Sequence, residues 1–366
     1  MLKNNIHIET INPCEPLWQQ TLQKLRHDIY HLPEYIQLES IRNKAAPEGI
    51  LITEGDKIFF LPYLVRSCEH LTALHLRDRQ IFDAVSPYGY PGILLSESAI
   101  SEPEFLKLAV SHFIEALRSK NICTAFLRLH PILNQNFEQI LSPQICQVTG
   151  ETISLDLALS EAEIWQQTRS EHRNHINRCK RAGFIARMVK YEDYIDEFIY
   201  LYKDTMNRVA AKQMYYFDYE YFVQLAYLDE RIHICIVELG DRITCAGIFT
   251  EASGIVQYHL GGTRNEFLKQ SPSKLMFDYV RFWAKARGNL VFHLGGGVGG
   301  SKDSLYHFKA GFSKQRTNFL TLRLIADLDN YNYLVELQAK ALNTETNRLL
   351  DTNFFPAYRC SSVENN

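Results

Sequence analysis

No stretch of this 366-residue chain approaches the ~20 consecutive apolar residues needed to span a bilayer. Its first residues, MLKNNIHIETINPCEP, lack the apolar core of a secretory leader. The expectation is a cytoplasmic protein that meets any membrane-linked substrate at the surface. The eight cysteines form no C-x-x-C pair and lie mostly inside apolar runs, which argues against a disulfide framework and for buried, reduced thiols. Excess charge is also missing. With 39 Lys and Arg against 42 Asp and Glu the net charge is -3, so bulk capture of DNA is not expected and any basic site must be local. H-E-x-x-H, G-x-S-x-G and G-x-x-x-x-G-K-[ST] are all absent, and His172 and His175 have no third ligand at an obvious spacing. No metal is expected, and neither is a serine triad.

What is present is a globular composition, 46% hydrophobic and 12% aromatic, long enough for two domains. Two segments share one pattern. ILITEGDKIFFLPYLV and ICIVELGDRITCAGIF each read as strand, Gly-Asp turn and strand, because glycine supplies the positive φ of a tight hairpin. Each is followed by a helix-period segment and another strand. Leu106, Val110, Phe113, Ile114 and Leu117 form one helical stripe, and Leu275, Tyr279, Phe282, Trp283 and Ala286 the other. The reading is an α/β chain built by duplication of one mixed unit. Between the copies stand a Ser160-capped helix with Glu163 three residues on, a basic helix, and an amphipathic helix carrying Ile195, Phe198, Ile199, Tyr202 and Met206.

The glycine burst in VFHLGGGVGGSKDSLYHFKAGF formally matches G-x-G-x-x-G at Gly295, Gly297 and Gly300. A dinucleotide site would also need a βαβ unit and an acidic residue about twenty positions on. Here the next helix is short and only 66 residues remain after Gly300. Two readings stay open: a surface loop, or a glycine loop that admits a close substrate while the next helix offers N–H groups to an anion. Lys309 in that helix lies beside the apolar face of Leu305, Phe308 and Phe312, either as a snorkelling amine or as one directed at a developing oxyanion. Asp303 is a first-turn acid and also a candidate base. The basic helix, with six Lys or Arg against one Glu between Arg169 and Arg187, is either a solvated face or a phosphate contact.

SPSKLMFDYVRFWAKARGNLVFHLGGGVGGSKDSLYHFKAGFSKQ resembles the C-terminal core of the FemABX-like acyltransferases, tandem members of the GNAT superfamily. HRNHINRCKRAGF is similar to that family's basic helix, and FIYLYKDTMNR and SPYGYPG extend the likeness over most of the chain. The resemblance implies two GNAT-like domains, each a mixed, mostly antiparallel sheet flanked by helices. Residues 1–150 plus 317–366 would form the first and 151–316 the second, which would carry the active site. It implies N-acyl transfer from acyl-CoA or aminoacyl-tRNA to an amine of a cell-envelope precursor such as peptidoglycan, or of an amino sugar.

By the same resemblance Lys309 and Phe308 lie in the acyl-transfer channel, with Asp303 as the candidate base. Arg208, Tyr215, Tyr216, Arg173, Tyr258, Gly295, Gly296 and Gly297 would contact substrate. The implied partners are a small or nucleotide-linked amine acceptor, the acceptor end of tRNA, and peripheral contact with a membrane-linked precursor. The sequence departs from the GNAT pattern at one place. The R/Q-x-x-G-x-G/A loop that holds coenzyme A should precede the helix at Ser273, where this chain has GGTRNEFLKQSPSK. A non-catalytic nucleotide- or nucleotide-sugar-binding protein of the same fold is the alternative.

Overall fold

The computed structural model describes residues 6–69 and 80–362. Its strands in chain order are β1 (Ile6–Ile11), β2 (Ala46–Glu54), β3 (Lys57–Ser67), β4 (Phe82–Val85), β5 (Leu94–Leu95), β6 (Ile122–Arg128), β7 (Cys146–Asp156), β8 (Phe184–Val189), β9 (Ile232–Leu239), β10 (Arg242–Ala252), β11 (Ile255–Thr263), β12 (Val291–Gly295) and β13 (Arg316–Ile325). The chain divides into two compact units. One holds the residues up to Thr149 together with those from Phe319 on, and the other spans Gly150–Asn318.

In the first unit the strand order is β1-β2-β3-β4-β6-β13. All neighbours are antiparallel except the parallel pair β4 and β6. In the second the order β8-β9-β10-β11-β12-β7 repeats that succession, again with one parallel pair, β11 and β12. A parallel pair needs a crossover connection. The helices Pro103–Ser119 and Pro272–Ala286 supply it in the two units. Both Gly-Asp hairpins form where the turn chemistry places them, with Glu54 opposite Lys57, Leu239 opposite Arg242, and Gly55 and Gly240 at positive φ. Matching order, matching strand directions and matching hairpins are the structural signature of a duplicated unit.

Each sheet buries an apolar face against its crossover helix. In the first unit Phe105, Leu106, Ala109, Val110, Phe113 and Leu117 meet Ile50, Ile52, Phe59 and Leu127. In the second Leu275, Met276, Phe277, Val280 and Ala284 meet Val256, Phe292 and Leu294. This second face is rotated from the one the sequence indicates. Tyr279, Phe282 and Trp283 are only partly buried, and Ala286 is exposed. The cause is a polar pair: Asp278 and Arg281 are both buried, joined to each other, with Arg281 also donating to Thr168 Oγ1 at 2.6 Å. Apolar periodicity cannot register a buried ion pair completed by Thr168 and Lys180 from another part of the chain.

On the second sheet's other face the helix Tyr191–Arg208 lies against β11. The approach is so close that a Cβ at Gly262 would stand 2.5 Å from the backbone carbonyl of Leu201. Cys14 is exposed and the other seven cysteines are buried, all as free thiols. Among the described residues no helix is long and apolar enough to cross a membrane.

Candidate active site

The parallel strands β11 and β12 pair at only three positions, Ile255 with Val291, Val256 with Phe292 and Gln257 with His293. Beyond that level β11 keeps its partner β10 as far as Thr263, and β12 keeps its partner β7 as far as Gly295. The two strands therefore part while each stays attached to its outer neighbour. A bulge on each side accounts for the parting, since an extra residue bends its strand and breaks the local register. His259 is the extra residue between Tyr258 and Leu260 on β11, and Leu294 between His293 and Gly295 on β12. The last paired level is pinned by His293 Nδ1–H, which donates to Gln257 Oε1 at 2.6 Å in the buried interior.

Lys309 spans the mouth of this fork. Its Nζ donates to the carbonyl of Gly296, just past the end of β12, at 2.7 Å. The same atom stands 5.6 Å from the ring centre of Tyr258, the first β11 residue beyond the pairing. The lysine is only 6% exposed, and burial pulls its amine from the usual 10.5 down to about 7, with the negative charge of Asp303 pushing the other way. An amine poised between its two protonation states at neutral pH is uncommon, and such groups cluster at functional sites. Burial raises the Tyr258 phenol, so it remains protonated.

Local sequence explains the lysine's placement. Asp303 caps the helix Ser304–Lys309, its Oδ1 accepting from Tyr306 N–H at 2.9 Å and its Oδ2 from Val298 N–H at 3.0 Å. Each oxygen of Asp303 thus holds a backbone N–H of the turn that presents Lys309. Asp303→Ala is expected to destabilise the protein by about 1–2 kcal/mol, the loss of an N-cap, measured by urea unfolding. On the β7 side Glu151 Oε2 accepts from Tyr306 O–H at 2.6 Å and from Lys302 Nζ at 2.9 Å, and these two partners hold its carboxyl below the usual range. The glycine loop is thereby a fixed wall of the fork, close enough to β7 that a Cβ at Gly150 would stand 2.4 Å from the Gly300 carbonyl oxygen.

Of the residues marked by sequence, the structure gathers Lys309, Tyr258, Gly295, Gly296, Gly297 and Asp303 at the fork. Phe308 turns its ring away, into the aromatic core against Phe277 at 5.4 Å and Phe312 at 5.5 Å. Arg208, Tyr215 and Tyr216 form a second group around the end of the helix Tyr191–Arg208. Arg208 donates to the Thr263 carbonyl at 3.1 Å and to Asn265 at 2.5 Å, so it ties that helix to the end of β11. The Tyr215 carbonyl accepts from Tyr202 O–H at 2.7 Å, and Tyr216 O–H donates to Asn207 at 3.2 Å. Arg173 is half-buried on the basic helix Ser170–Arg181. Sequence reasoning missed Glu151, Gln257, His293 and Gly311. No local signal marks them, because each acts on a residue far along the chain. Among the described residues no three His, Cys, Asp or Glu side chains converge to hold a metal ion.

Residues 166–309 match the model of the acetyltransferase (GNAT) domain. Among solved structures, FemX is 12% identical with a TM-score of 0.67, over 89% of this chain and 99% of that one. A conserved protein of unknown function from Bacteroides thetaiotaomicron VPI-5482 is 11% identical with a TM-score of 0.52, over 88% of this chain and 100% of that one. No curated protein matches the sequence significantly.

The second compact unit carries a GNAT-type acetyltransferase domain over residues 166–309.

The likeness to FemX runs the length of both chains, in agreement with the doubled strand order. Within this domain the loop before the crossover helix is unusual. GGTRNEFLKQSPSK forms the end of β11, a 3-10 helix over Asn265–Gln270 and Ser271 in the left-handed region. Its N–H groups are largely engaged internally: Phe267 donates to Arg264, Ser271 to Phe267 and Leu268, and Lys274 to Ser271, while Pro272 has none. A pyrophosphate would find few free donors in this turn.

Proposed function

We propose that this protein is an N-acyltransferase that moves an acyl or aminoacyl group from acyl-CoA or aminoacyl-tRNA to an amine of a cell-envelope precursor or an amino sugar. The observation that carries the reading is the buried Lys309 amine, fixed across the mouth of the β11–β12 fork by the Gly296 carbonyl and the Tyr258 ring. In the proposed reaction the acceptor amine attacks the donor carbonyl, and Lys309 donates a hydrogen bond to the oxyanion as it forms. The C–S or C–O bond to the donor then breaks, and the acceptor's proton leaves to solvent or to the departing group. With Asp303 and Glu151 both engaged, no carboxylate at the fork is assigned as base.

The engaged N–H groups of the 264–274 turn favour aminoacyl-tRNA, or another donor held through its acyl end, over a standard coenzyme A grip. In this reading the exposed cations of the helix Ser170–Arg181 meet donor phosphates, the tRNA acceptor end among them. The acceptor is a small or nucleotide-linked amine, reached in the cytoplasm or at a membrane surface.

The test is transfer of labelled acyl from acetyl-CoA and from a set of aminoacyl-tRNAs to UDP-linked muramyl peptides and glucosamine, followed by mass spectrometry. Amide formation that depends on Lys309 is the expected result. Tight calorimetric binding of donor and acceptor with no amide formed would instead establish the non-catalytic, nucleotide-sugar-binding alternative.

A further inference from the structure

The basic helix contains a histidine that neither charge nor metal binding explains. His172 is 3% exposed, on the core-facing side of the helix Ser170–Arg181. Its Nε2 stands 2.9 Å from the carbonyl oxygen of Phe308, the residue immediately before Lys309. A carbonyl can only accept, so Nε2 carries the hydrogen and Nδ1 is the bare nitrogen. That Nδ1 is buried and has no hydrogen-bond partner. Burial holds the imidazole below its usual pKa, helped by the charges of Lys274 and Arg169 and opposed by the Phe308 carbonyl and Glu171.

The packing around the ring is as specific as the hydrogen bond. The imidazole lies edge to face with Phe312 at 4.8 Å and tilted against Phe308 at 5.8 Å. A Cβ on Gly311 would come within 2.2 Å of Nε2, so the ring occupies the space that a side chain there would need. The preceding residue adds a second tie, since Arg169 N–H donates to the Gly311 carbonyl at 2.8 Å. The first turn of the basic helix thus grips the backbone on both sides of Lys309, at Phe308 and at Gly311. A buried polar side chain left with one unsatisfied nitrogen is disfavoured in a core unless its other nitrogen does something an apolar side chain cannot.

We infer that His172 is the positioning residue of the acyl-transfer site: through the Phe308 carbonyl it holds the helix Ser304–Lys309 against the core and so keeps the Lys309 amine desolvated and aimed into the fork. This rests on the acyl-transfer reading of Lys309, but part of its test does not. His172 touches no reacting atom in this role. The basic helix thereby links the surface that meets the donor to the amine that acts on it.

The experiment compares His172→Gln, whose amide N–H can still reach the carbonyl, with His172→Leu, which fills the space without a donor. Reductive methylation with labelled formaldehyde, read by mass spectrometry across pH 5–10, gives the titration midpoint of Lys309 in the whole chain without any substrate. The wild type and His172→Gln are expected to share a midpoint near 7, as buried amines do. In His172→Leu it should rise by about one unit or more as water reaches the amine. In the transfer assay His172→Leu should lose roughly tenfold to a hundredfold in kcat with KM little changed, the pattern of a misplaced group, and His172→Gln should stay within about threefold of wild type. If His172→Leu does not fold, His172→Asn, whose amide is too short to reach Phe308, takes its place.

A folded His172→Leu protein with an unmoved Lys309 midpoint overturns the inference, as does equal impairment of the Gln and Leu variants. Absence of transfer in the wild type would overturn the proposed function instead, and the midpoints would still decide the role of His172.

Discussion

Lys309→Met is expected to lower kcat for acyl transfer by about 10²–10³-fold, the loss that follows removal of one donor to a developing oxyanion. Methionine preserves the unbranched stem while deleting the amine that stands over the Tyr258 ring and donates to the Gly296 carbonyl. The glycine loop is fixed independently of the lysine, through Asp303 to Val298 and through Glu151 to Tyr306 and Lys302, so the fork should keep its shape in the variant. KM for both substrates should therefore change little, which separates a lost transition-state contact from lost binding. The measurement is steady-state transfer with circular dichroism as the control for folding. A folded variant that retains wild-type kcat would falsify the role given to Lys309.

Much of the architecture is legible in the sequence because it is written in local chemistry. Gly55 and Gly240 mark the hairpins through the φ they supply, and Asp303 and Ser160 mark helix starts through the N–H groups they accept. The repeat of hairpin, helix and strand is visible for the same reason. The fork is not. It depends on where β11 and β12 stop pairing, and that is decided by one extra residue on each strand, His259 and Leu294, neither of which differs in type from an ordinary strand residue. Likewise the face of the helix Pro272–Ala286 is set by the Asp278–Arg281 pair, whose burial needs Thr168, more than a hundred residues earlier in the chain. Asp303 shows the converse: its position is legible, and what the structure adds is that both oxygens are engaged as a cap. His172 was visible only as half of an i, i+3 pair without a third ligand. Its partner, Phe308, is 136 positions away.

The same burial that tunes Lys309 makes it a liability for the fold, with a definite pH signature. In the unfolded chain the amine titrates at its usual 10.5, and in the folded protein at about 7. Below pH 7 both states hold the proton and the folded state bears the full penalty of a buried cation. Between 7 and 10.5 the unfolded chain binds a proton that the folded protein does not, so the contribution of this residue to stability rises with pH across that window. Above 10.5 the amine is neutral in both states and the penalty is gone. The full span is on the order of 3–5 kcal/mol. Lys309→Met removes the titration and also the bond to the Gly296 carbonyl, which adds an offset that does not depend on pH. Urea unfolding of both proteins at several pH values from 6 to 10 therefore should give a difference, variant minus wild type, that is largest at pH 6 and shrinks steadily towards pH 10. Taking the difference cancels the tyrosines and cysteines that also titrate in alkali. A flat difference would mean that the folded protein leaves the Lys309 amine hydrated, and with it would go the reason for expecting this lysine to be half-neutral at the pH where it works.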